Sequence, residues 1–308
     1  MKVIFMGTPD FAVGSLEAII NKGHEVVAVV TQPDKPKGRS GELQMSPVKE
    51  TALKHNIPVY QPVKVREPEF VEILKGLAPD VIAVVAFGQL LPKTVLELPK
   101  YGCVNVHASL LPKYRGAAPI QWAVIDGEEV TGVTTQLMNE GLDTGDILMV
   151  EEYKLDPKET GGSLFERLES IGADLLVRTL DGLLNGTIIP VPQQGESTYA
   201  AKLDKTTGII DFNKTAVEIE RLVRGLNPWP SAYTKLNGKT LKIWDVDIDE
   251  RDCSQFVPGT IYDVDKQYIY ISTGDGGLVV RQLQLEGKKR MDTESFLRGY
   301  SVEKGTVL

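Results

Sequence analysis

Short apolar runs alternate with helical patterns along the first part of the chain. The runs lie at residues 3–6, 25–30, 81–85 and 103–106. Residues 11–21 space their apolar side chains as one face of a helix, and Ser46-Pro47 provides a cap and a first-turn proline for another helix. Apolar strands that are separated by helices predict a parallel sheet with both of its faces covered.

The same pattern continues into a long helix and then stops. Residues 130–137 and 147–153 are predicted to be two more strands, and residues 162–184 carry Leu and Ile along one helical face. The helical periodicity ends in a stretch that contains Gly186, Pro190 and Pro192. We therefore predict a boundary between two domains after the long helix.

Short strands dominate the remainder of the chain after one helical piece at residues 216–222. Asn237-Gly238 is the central pair of a two-residue hairpin turn, and the glycine-rich residues 273–277 separate two further alternating runs. Short strands and tight turns predict a small antiparallel barrel. The predicted division is a first domain at residues 1–188, a linker at 189–206 and a barrel domain at 207–308.

The composition argues against several classes of protein. The chain has 308 residues and no apolar run near the roughly 20 residues of a membrane helix. Its N-terminus lacks the longer apolar region of a secretory signal. The two cysteines, Cys103 and Cys253, are too far apart to form a disulfide framework or a zinc motif. We expect a soluble cytoplasmic protein with no bound metal and no membrane contact.

The net charge of −8 argues against a broad basic surface for nucleic acid. Positive residues nonetheless cluster in three short segments. These are Lys35, Lys37 and Arg39; Lys113 and Arg115; and Lys288, Lys289 and Arg290. Charge alone favours solvated loops at all three places.

A polar pair stands at the end of one apolar strand. In Val104-Asn105-Val106-His107, the alternation of a strand places Asn105 and His107 on the same face. In an open parallel sheet, ligands bind beyond the carboxyl ends of the strands. An amide and an imidazole at that edge can donate hydrogen bonds to one developing oxyanion. A satisfied polar pair at the end of a sheet explains the two residues equally well.

A glycine-rich acidic turn supplies a third group. Residues 141–146, Gly-Leu-Asp-Thr-Gly-Asp, lie between two predicted strands, which can hold the Asp143 side chain at a fixed height. A carboxylate can orient an imidazole, favour its charged form or move protons through water. Taken alone, the segment is more simply an ordinary aspartate-rich turn.

In this order, the segments resemble the 10-formyltetrahydrofolate-dependent formyltransferases. The resemblance rests on Asn105-Val106-His107, on Ser-Leu-Leu-Pro-Lys-Tyr-Arg-Gly-Ala-Ala-Pro-Ile-Gln at 109–121, and on Leu142-Asp143-Thr144-Gly145. It continues in residues 7–12, 227–230 and 283–289, so it covers essentially the whole chain. Within the family, the 109–121 segment and the second domain are most similar to the enzymes that formylate methionine on initiator tRNA.

The resemblance implies a fold and a reaction. The fold is α/β, with a Rossmann-like, mostly parallel sheet and a C-terminal OB-like antiparallel β-barrel that contacts tRNA. The reaction moves a formyl group from the co-substrate 10-formyltetrahydrofolate to the α-amine of methionyl initiator tRNA, for translation initiation, in a monomer. Asn105 and protonated His107 would stabilise the tetrahedral oxyanion. Asp143 would fix His107 and help to move the proton from the amine to the folate nitrogen.

The resemblance also implies two binding regions. The folate pocket would be lined by Ser109, Leu110, Leu111 and Pro112, and by Phe87, Gly88, Gln89 and Leu90. Residues 32–45, with Lys35, Lys37 and Arg39, correspond to the family's inserted tRNA-contacting loop. Because this loop has almost no apolar residue, we expect it to be exposed and mobile in the absence of tRNA.

Three alternatives remain open. A nucleotide-sugar amine formyltransferase shares the catalytic motif and a similar second domain, although such enzymes often carry a fused dehydrogenase. A glycinamide ribonucleotide formyltransferase usually has a single domain. A non-catalytic two-domain RNA-binding protein would not need Asn105, His107 and Asp143, and an assay of formyl transfer would distinguish it from the enzymes.

Overall fold

The predicted apolar runs become the central strands of one sheet. The computed structural model describes residues 1–37 and 42–308 of the chain. From the N-terminus to the end of the long helix, the elements are β1 (Lys2–Gly7), a 3₁₀ turn (Asp10–Ala12), α1 (Val13–Asn21), β2 (Glu25–Val30), β3 (Lys35–Lys37), β4 (Glu42–Gln44), α2 (Pro47–Lys54), β5 (Val59–Tyr60), α3 (Pro68–Leu77), β6 (Val81–Val85), α4 (Lys93–Leu96), β7 (Cys103–His107), β8 (Arg115–Gly116), α5 (Pro119–Asp126), β9 (Val130–Leu137), β10 (Asp146–Lys154) and α6 (Gly161–Leu184).

The large sheet is mostly parallel, as predicted. Within the described residues it has seven strands in the order β10-β9-β7-β6-β1-β2-β5. Strands β1, β2, β5, β6 and β7 run parallel to one another. At one edge, β9 is antiparallel to β7, and β10 is antiparallel to β9. All residues of β6 are buried, as expected for a central strand that is covered on both faces. The strand order reverses between β1 and β6, and the carboxyl edge at such a reversal is where ligands bind.

The predicted elements of this sheet are largely confirmed. β2, β6 and β9 have the predicted bounds, and the Ser46 hydroxyl accepts a hydrogen bond from the backbone N–H of Lys49 at the start of α2. The predicted helix at residues 11–21 is corrected at its start. The N–H of Ala12 bonds to the carbonyl of Pro9 at 2.9 Å, which gives a 3₁₀ turn before α1 begins.

Two short strands lie within the segment predicted as a loop at residues 32–45, which corrects the sequence-based prediction for residues 35–37 and 42–44. β3 and β4 pair in the antiparallel direction, with Lys35 opposite Gln44. Such pairing uses backbone groups and needs no apolar core. At the base of the pair, the Asp34 carboxylate accepts from the Lys49 ammonium at 2.6 Å. The predicted mobility of this segment stays a prediction.

The chain divides into two units that differ from the predicted domains. The first unit comprises Met1–Pro119, Val130–Lys154 and Phe165–Ala200. The second comprises Ile120–Glu129, Leu155–Leu164 and Ala201–Leu308. The bounds predicted for the linker, 189–206, stay a prediction. In the part of the chain that the structure describes, no helix combines the length and the apolar character that crossing a membrane requires.

The second unit contains the predicted antiparallel strands. The remaining elements of the chain are β11 (Tyr199–Ala200), a 3₁₀ turn (Thr206–Gly208), α7 (Ala216–Gly225), β12 (Ala232–Leu236), β13 (Lys239–Asp249), β14 (Ile261–Val264), β15 (Ile269–Ser272), β16 (Gly277–Leu285), β17 (Met291–Asp292) and α8 (Thr293–Leu297). Among the residues described, the second sheet has the order β12-β13-β16-β15-β14, with β17 paired to β16. Asn237 and Gly238 both have positive φ and join β12 to β13, which confirms the predicted hairpin turn. Ile219 and Val223 of α7 pack with Ile243 in the core of this unit.

Candidate active site

Strand β7 places the predicted polar pair at the carboxyl edge of the large sheet. Asn105 is half-buried and His107 is buried. On the neighbouring strand β9, Gln136 lies opposite Asn105, and Thr134 lies opposite His107. Directly opposed residues of an antiparallel pair share a face of the sheet, so these polar side chains face the same way.

Each ring nitrogen of His107 lies close to an oxygen atom of another residue. Nε2 lies 2.8 Å from the carbonyl oxygen of Tyr114, and this nitrogen carries a hydrogen because a carbonyl oxygen can only accept. Nδ1 lies 3.7 Å from Oδ1 of Asp143, which is an ion-pair distance but longer than a hydrogen bond. The two side chains are only 7% and 13% exposed. Nε2 is therefore bonded to Tyr114, and Nδ1 is the ring nitrogen that faces Asp143.

Both carboxylate oxygens of Asp143 accept hydrogen bonds. The backbone N–H of Gly116 donates to Oδ2 at 2.8 Å, and Nε2 of Gln136 donates to Oδ1 at 3.0 Å. Asp143 has a φ of 51°, in the left-handed region that aspartate tolerates better than most residues. A Cβ at Gly145 would overlap the carbonyl oxygen of Leu137, so the turn needs glycine there. The turn thus holds the carboxylate in one orientation beside His107.

The Asn105 amide is available for a ligand. Among residues 1–37 and 42–308 its side chain has no hydrogen-bond partner. Its N–H groups lie on the same face of β7 as His107, because the two residues are separated by one position in the strand. The structure therefore brings all three predicted catalytic residues to one edge of the sheet.

Sequence reasoning missed the polar residues of β9. Gln136 is 2% exposed; it donates to Asp143 and accepts from the N–H of Gly145 at 3.2 Å. The buried hydroxyl of Thr134 donates to the carbonyl of Ser109 at 2.7 Å and accepts from the N–H of Leu111 at 3.1 Å. The available signal was the run of polar residues Thr134, Thr135 and Gln136 in a predicted strand. The partners of Thr134 depend on the register of β7 and β9, which the sequence does not specify.

The predicted folate residues after β6 lie where the strand order reverses. Phe87 is buried, Gln89 is half-buried, and Gly88 and Leu90 are exposed. The Phe87 carbonyl accepts from the Thr8 hydroxyl at 3.2 Å and from Nε2 of Gln32 at 3.1 Å. These bonds tie together the segments that follow β1, β2 and β6. The buried Phe87 ring packs in the core, so only the backbone of that residue is placed to contact a ligand.

The predicted folate residues after β7 form a tight turn. Ser109 is fully buried, and its hydroxyl donates to the carbonyl of Lys113 at 2.6 Å. Leu111 is also buried, whereas Leu110 and Pro112 are partly exposed. A role for these residues in folate binding stays a prediction.

The predicted tRNA-contacting residues are only partly described. Lys35 is exposed on β3, and the backbone of Lys37 continues the same strand. Arg39 lies outside the described residues. Contact of these residues with tRNA stays a prediction.

The two cysteines make no contact with the catalytic candidates among the residues that the structure describes. Cys103 and Cys253 are both buried and unpaired. Burial raises the pKa of the Cys103 thiol to about 12. In the described part of the chain, no group of three or more His, Cys, Asp or Glu side chains is arranged to hold a metal ion.

Two family models match the chain. The model described as formyl transferase matches residues 1–180. The model described as formyl transferase, C-terminal domain, matches residues 202–301.

Relatives with known names match along the full length. A methionyl-tRNA formyltransferase from Lachnospira eligens is 62% identical over 313 residues, which cover 100% of this chain and 99% of the relative. A methionyl-tRNA formyltransferase from Clostridioides difficile is 52% identical over 309 residues, with 100% of each chain covered. The similarity therefore includes the second unit as well as the residues around His107.

Solved structures share the fold at lower identity. An N-formyltransferase from Helicobacter canadensis, in complex with folinic acid and dTDP-3-aminofucose, has a TM-score of 0.67 at 23% identity, covering 91% of this chain and 98% of the other. HypX from Aquifex aeolicus, in complex with tetrahydrofolic acid, has a TM-score of 0.63 at 18% identity, covering 100% of this chain and 51% of the other. At these identities the likeness concerns the fold.

Proposed function

Since the chain belongs to the formyl transferase family, we propose that it transfers a formyl group from 10-formyltetrahydrofolate to the α-amine of methionine on initiator tRNA. The observation that carries the chemistry is the His107–Asp143 pair at the carboxyl edge of the sheet. The Asn105 amide, which has no hydrogen-bond partner among the described residues, lies on the same face of β7. The substrate follows from the full-length relatives, which are named methionyl-tRNA formyltransferases.

The first step needs a stabilised oxyanion. The neutral amine of methionine attacks the formyl carbon, a C–N bond forms, and the formyl oxygen becomes negatively charged. Nε2 of His107 is committed to the Tyr114 carbonyl, so Nδ1–H of the charged ring is the hydrogen that can reach the anion. The Asn105 amide donates a second hydrogen bond. Donors that are already in place before the reaction stabilise such an anion most effectively.

The second step needs a proton transfer. The attacking amine must lose a proton, and the folate nitrogen must gain one as its bond to the formyl carbon breaks. Asp143 lies 3.7 Å from Nδ1 of His107, which is too far for a direct proton transfer but within reach of transfer through one bridging water. Both oxygens of Asp143 already accept hydrogen bonds, which keep the carboxylate oriented toward His107 during that transfer.

The tRNA partner is assigned to two regions. These are the second unit and the segment that carries Lys35, Lys37 and Arg39. With a net charge of −8, the chain would bind tRNA by focused contacts instead of a broad positive field. We place the reaction in the cytoplasm, where charged initiator tRNA is used, and we assign it to a monomer.

One experiment tests the substrate directly. The purified protein is given 10-formyltetrahydrofolate and, in parallel, charged initiator tRNA, charged elongator tRNA or an amino sugar nucleotide. The proposal predicts formyl transfer to the initiator tRNA at the highest catalytic efficiency. Transfer only to the amino sugar would favour the sugar N-formyltransferases, one of which was solved with dTDP-3-aminofucose. Absence of any transfer would favour a non-catalytic protein.

A further inference from the structure

The stretch predicted as a linker is bonded to the active-site side of the first unit. Val191 and Ile147 exchange two backbone hydrogen bonds, of 2.8 and 2.9 Å. Farther along, β11 pairs in parallel with β8. A Cβ at Gly116 in β8 would overlap the carbonyl oxygen of Ala200, so the two strands approach very closely. Backbone pairing therefore attaches residues 191–200 to β10 at one end and to β8 at the other.

Gln193, within this stretch, uses every hydrogen-bonding group of its side chain. Its Nε2 donates to the carbonyl oxygens of Asp143 and Gly145, both at 2.8 Å. Its Oε1 accepts from Nε and Nη2 of Arg115, at 3.2 and 2.6 Å. The Gln193 amide thus joins the carbonyls of Asp143 and Gly145 to the side chain of Arg115. The next residue, Gly116, donates its backbone N–H to the Asp143 carboxylate.

The same stretch also supports the residue that binds His107. The hydroxyl of Thr198 accepts from the backbone N–H of Tyr114 at 2.9 Å, and the carbonyl of Thr198 accepts from the N–H of Arg115, also at 2.9 Å. The Tyr114 carbonyl is in turn the group that holds Nε2 of His107. Residues 191–200 therefore contact the supports of both His107 and Asp143.

We propose that Gln193 is a positioning residue for formyl transfer, because it fixes the backbone of the Asp143 turn relative to Arg115. The inference rests on the proposed function for its assay, but the arrangement itself concerns only residues of this chain. Gln193 affects the reaction through Asp143, and its hydrogen bond to Asp143 is made to the backbone carbonyl and not to the carboxylate. Loss of its two donated hydrogen bonds lets the turn shift, and the carboxylate then moves away from Nδ1 of His107. Small displacements of catalytic groups cost large factors in rate.

The neighbouring Gln194 provides a matched control. It is exposed and makes no hydrogen bond to the described residues, so its replacement removes the same chemical group without changing the turn. Gln193→Ala removes all four contacts. Gln193→Glu keeps an acceptor for Arg115 but places a carboxylate oxygen against the carbonyl oxygens of Asp143 and Gly145, which accept from Nε2 in the wild type. Gln194→Ala and Gln194→Glu are the controls for each change.

Steady-state formyl transfer separates positioning from binding. We expect Gln193→Ala and Gln193→Glu to lower kcat by roughly 10- to 100-fold, as for losses of groups that orient a reacting residue. KM for tRNA and for 10-formyltetrahydrofolate should stay within about twofold, because Gln193 contacts neither in this account. Both Gln194 variants should retain the wild-type kcat. An unchanged kcat in either folded Gln193 variant, or an equal loss in the Gln194 variants, would overturn the proposal.

A second readout needs no substrate. The chain has three histidines, so the Cε1–H proton of His107 is identified by NMR from the signal that disappears in His107→Ala. At fixed pH, this signal should move in Gln193→Glu and stay in place in Gln194→Glu. If the His107 signal moves in Gln193→Glu but the wild type formylates no tRNA, the positioning role of Gln193 stands and only the proposed substrate is rejected. A signal that stays in place in the folded Gln193→Glu variant would reject the positioning role itself.

Discussion

Asp143→Asn is the substitution whose effect the geometry constrains most. The two oxygens of Asp143 accept from Gly116 and from Gln136. An asparagine has one oxygen and one NH₂ group, so in either orientation its NH₂ meets an N–H donor. Rotating the Gln136 amide would not relieve this conflict, because its Oε1 already accepts from Gly145. The substituted side chain therefore cannot satisfy the site that the aspartate occupies.

The size of the effect follows from the distance to His107. Opposite unit charges about 4 Å apart attract by about 4 kcal/mol at an effective dielectric constant near 20, and here the separation is 3.7 Å between side chains that are mostly buried. Loss of this attraction to the charged imidazole in the transition state slows the step by roughly a thousandfold, at about 1.4 kcal/mol for each factor of ten. Loss of one hydrogen bond to a charged group adds about 1.5–3 kcal/mol of destabilisation.

The assay is single-turnover formyl transfer to charged initiator tRNA, with folate binding and thermal unfolding measured on the same preparation. Glu140→Gln is the matched control, because Glu140 is an exposed acidic residue close to the same turn and loses the same charge. We expect a large fall in rate for Asp143→Asn, nearly normal folate binding, and a wild-type rate for Glu140→Gln. A folded Asp143→Asn variant with a rate within a few fold of wild type would refute the reasoning.

Three further results are expected. Asn105→Ala should lower turnover by about a hundredfold or more, as for loss of an oxyanion donor, and an unchanged rate would remove Asn105 from the mechanism. Arg39→Ala should raise KM for tRNA and leave folate binding intact. The affinity of the wild type for tRNA should fall as the salt concentration rises. Unchanged kinetics of Arg39→Ala at two salt concentrations would exclude this contact. Cys103 and Cys253 should resist a thiol reagent in the native protein at about pH 8 and react after denaturation, because burial raises the pKa of both thiols. Rapid labelling of the native protein would contradict this burial.

The sequence was sufficient for the elements with a clear hydrophobic period. β6 is apolar throughout and buried throughout, and its bounds are as predicted. The Asn237-Gly238 turn has the positive φ angles that its residue types favour. The helix predicted at residues 216–222 is confirmed as α7, which extends to Gly225. Local periodicity and turn chemistry are enough where each residue's environment depends on its near neighbours.

The sequence was not sufficient where a contact joins distant segments. Thr134 meets Ser109 and Leu111 only because the pairing of β7 with β9 brings these segments together. Gln193 lies 50 positions beyond Asp143, in a stretch whose glycines and prolines indicated a linker. Proline and glycine show where a helix cannot continue, but they do not show whether the following backbone pairs with a strand. For β3 and β4, the lack of apolar residues similarly gave no sign of an antiparallel pairing that relies on backbone groups.

The most direct test of the central claim is single-turnover formyl transfer to methionine on initiator tRNA by His107→Ala, compared with the wild type. Tetrahydrofolate binding is measured on the same preparation, so that loss of the chemical step is distinguished from loss of the pocket. The account predicts a rate lower by about a hundredfold or more, with folate binding little changed, because His107 supplies a donor to the oxyanion and a site for the proton. Near-normal transfer by the folded His107→Ala variant would contradict the assignment of the reaction to this site.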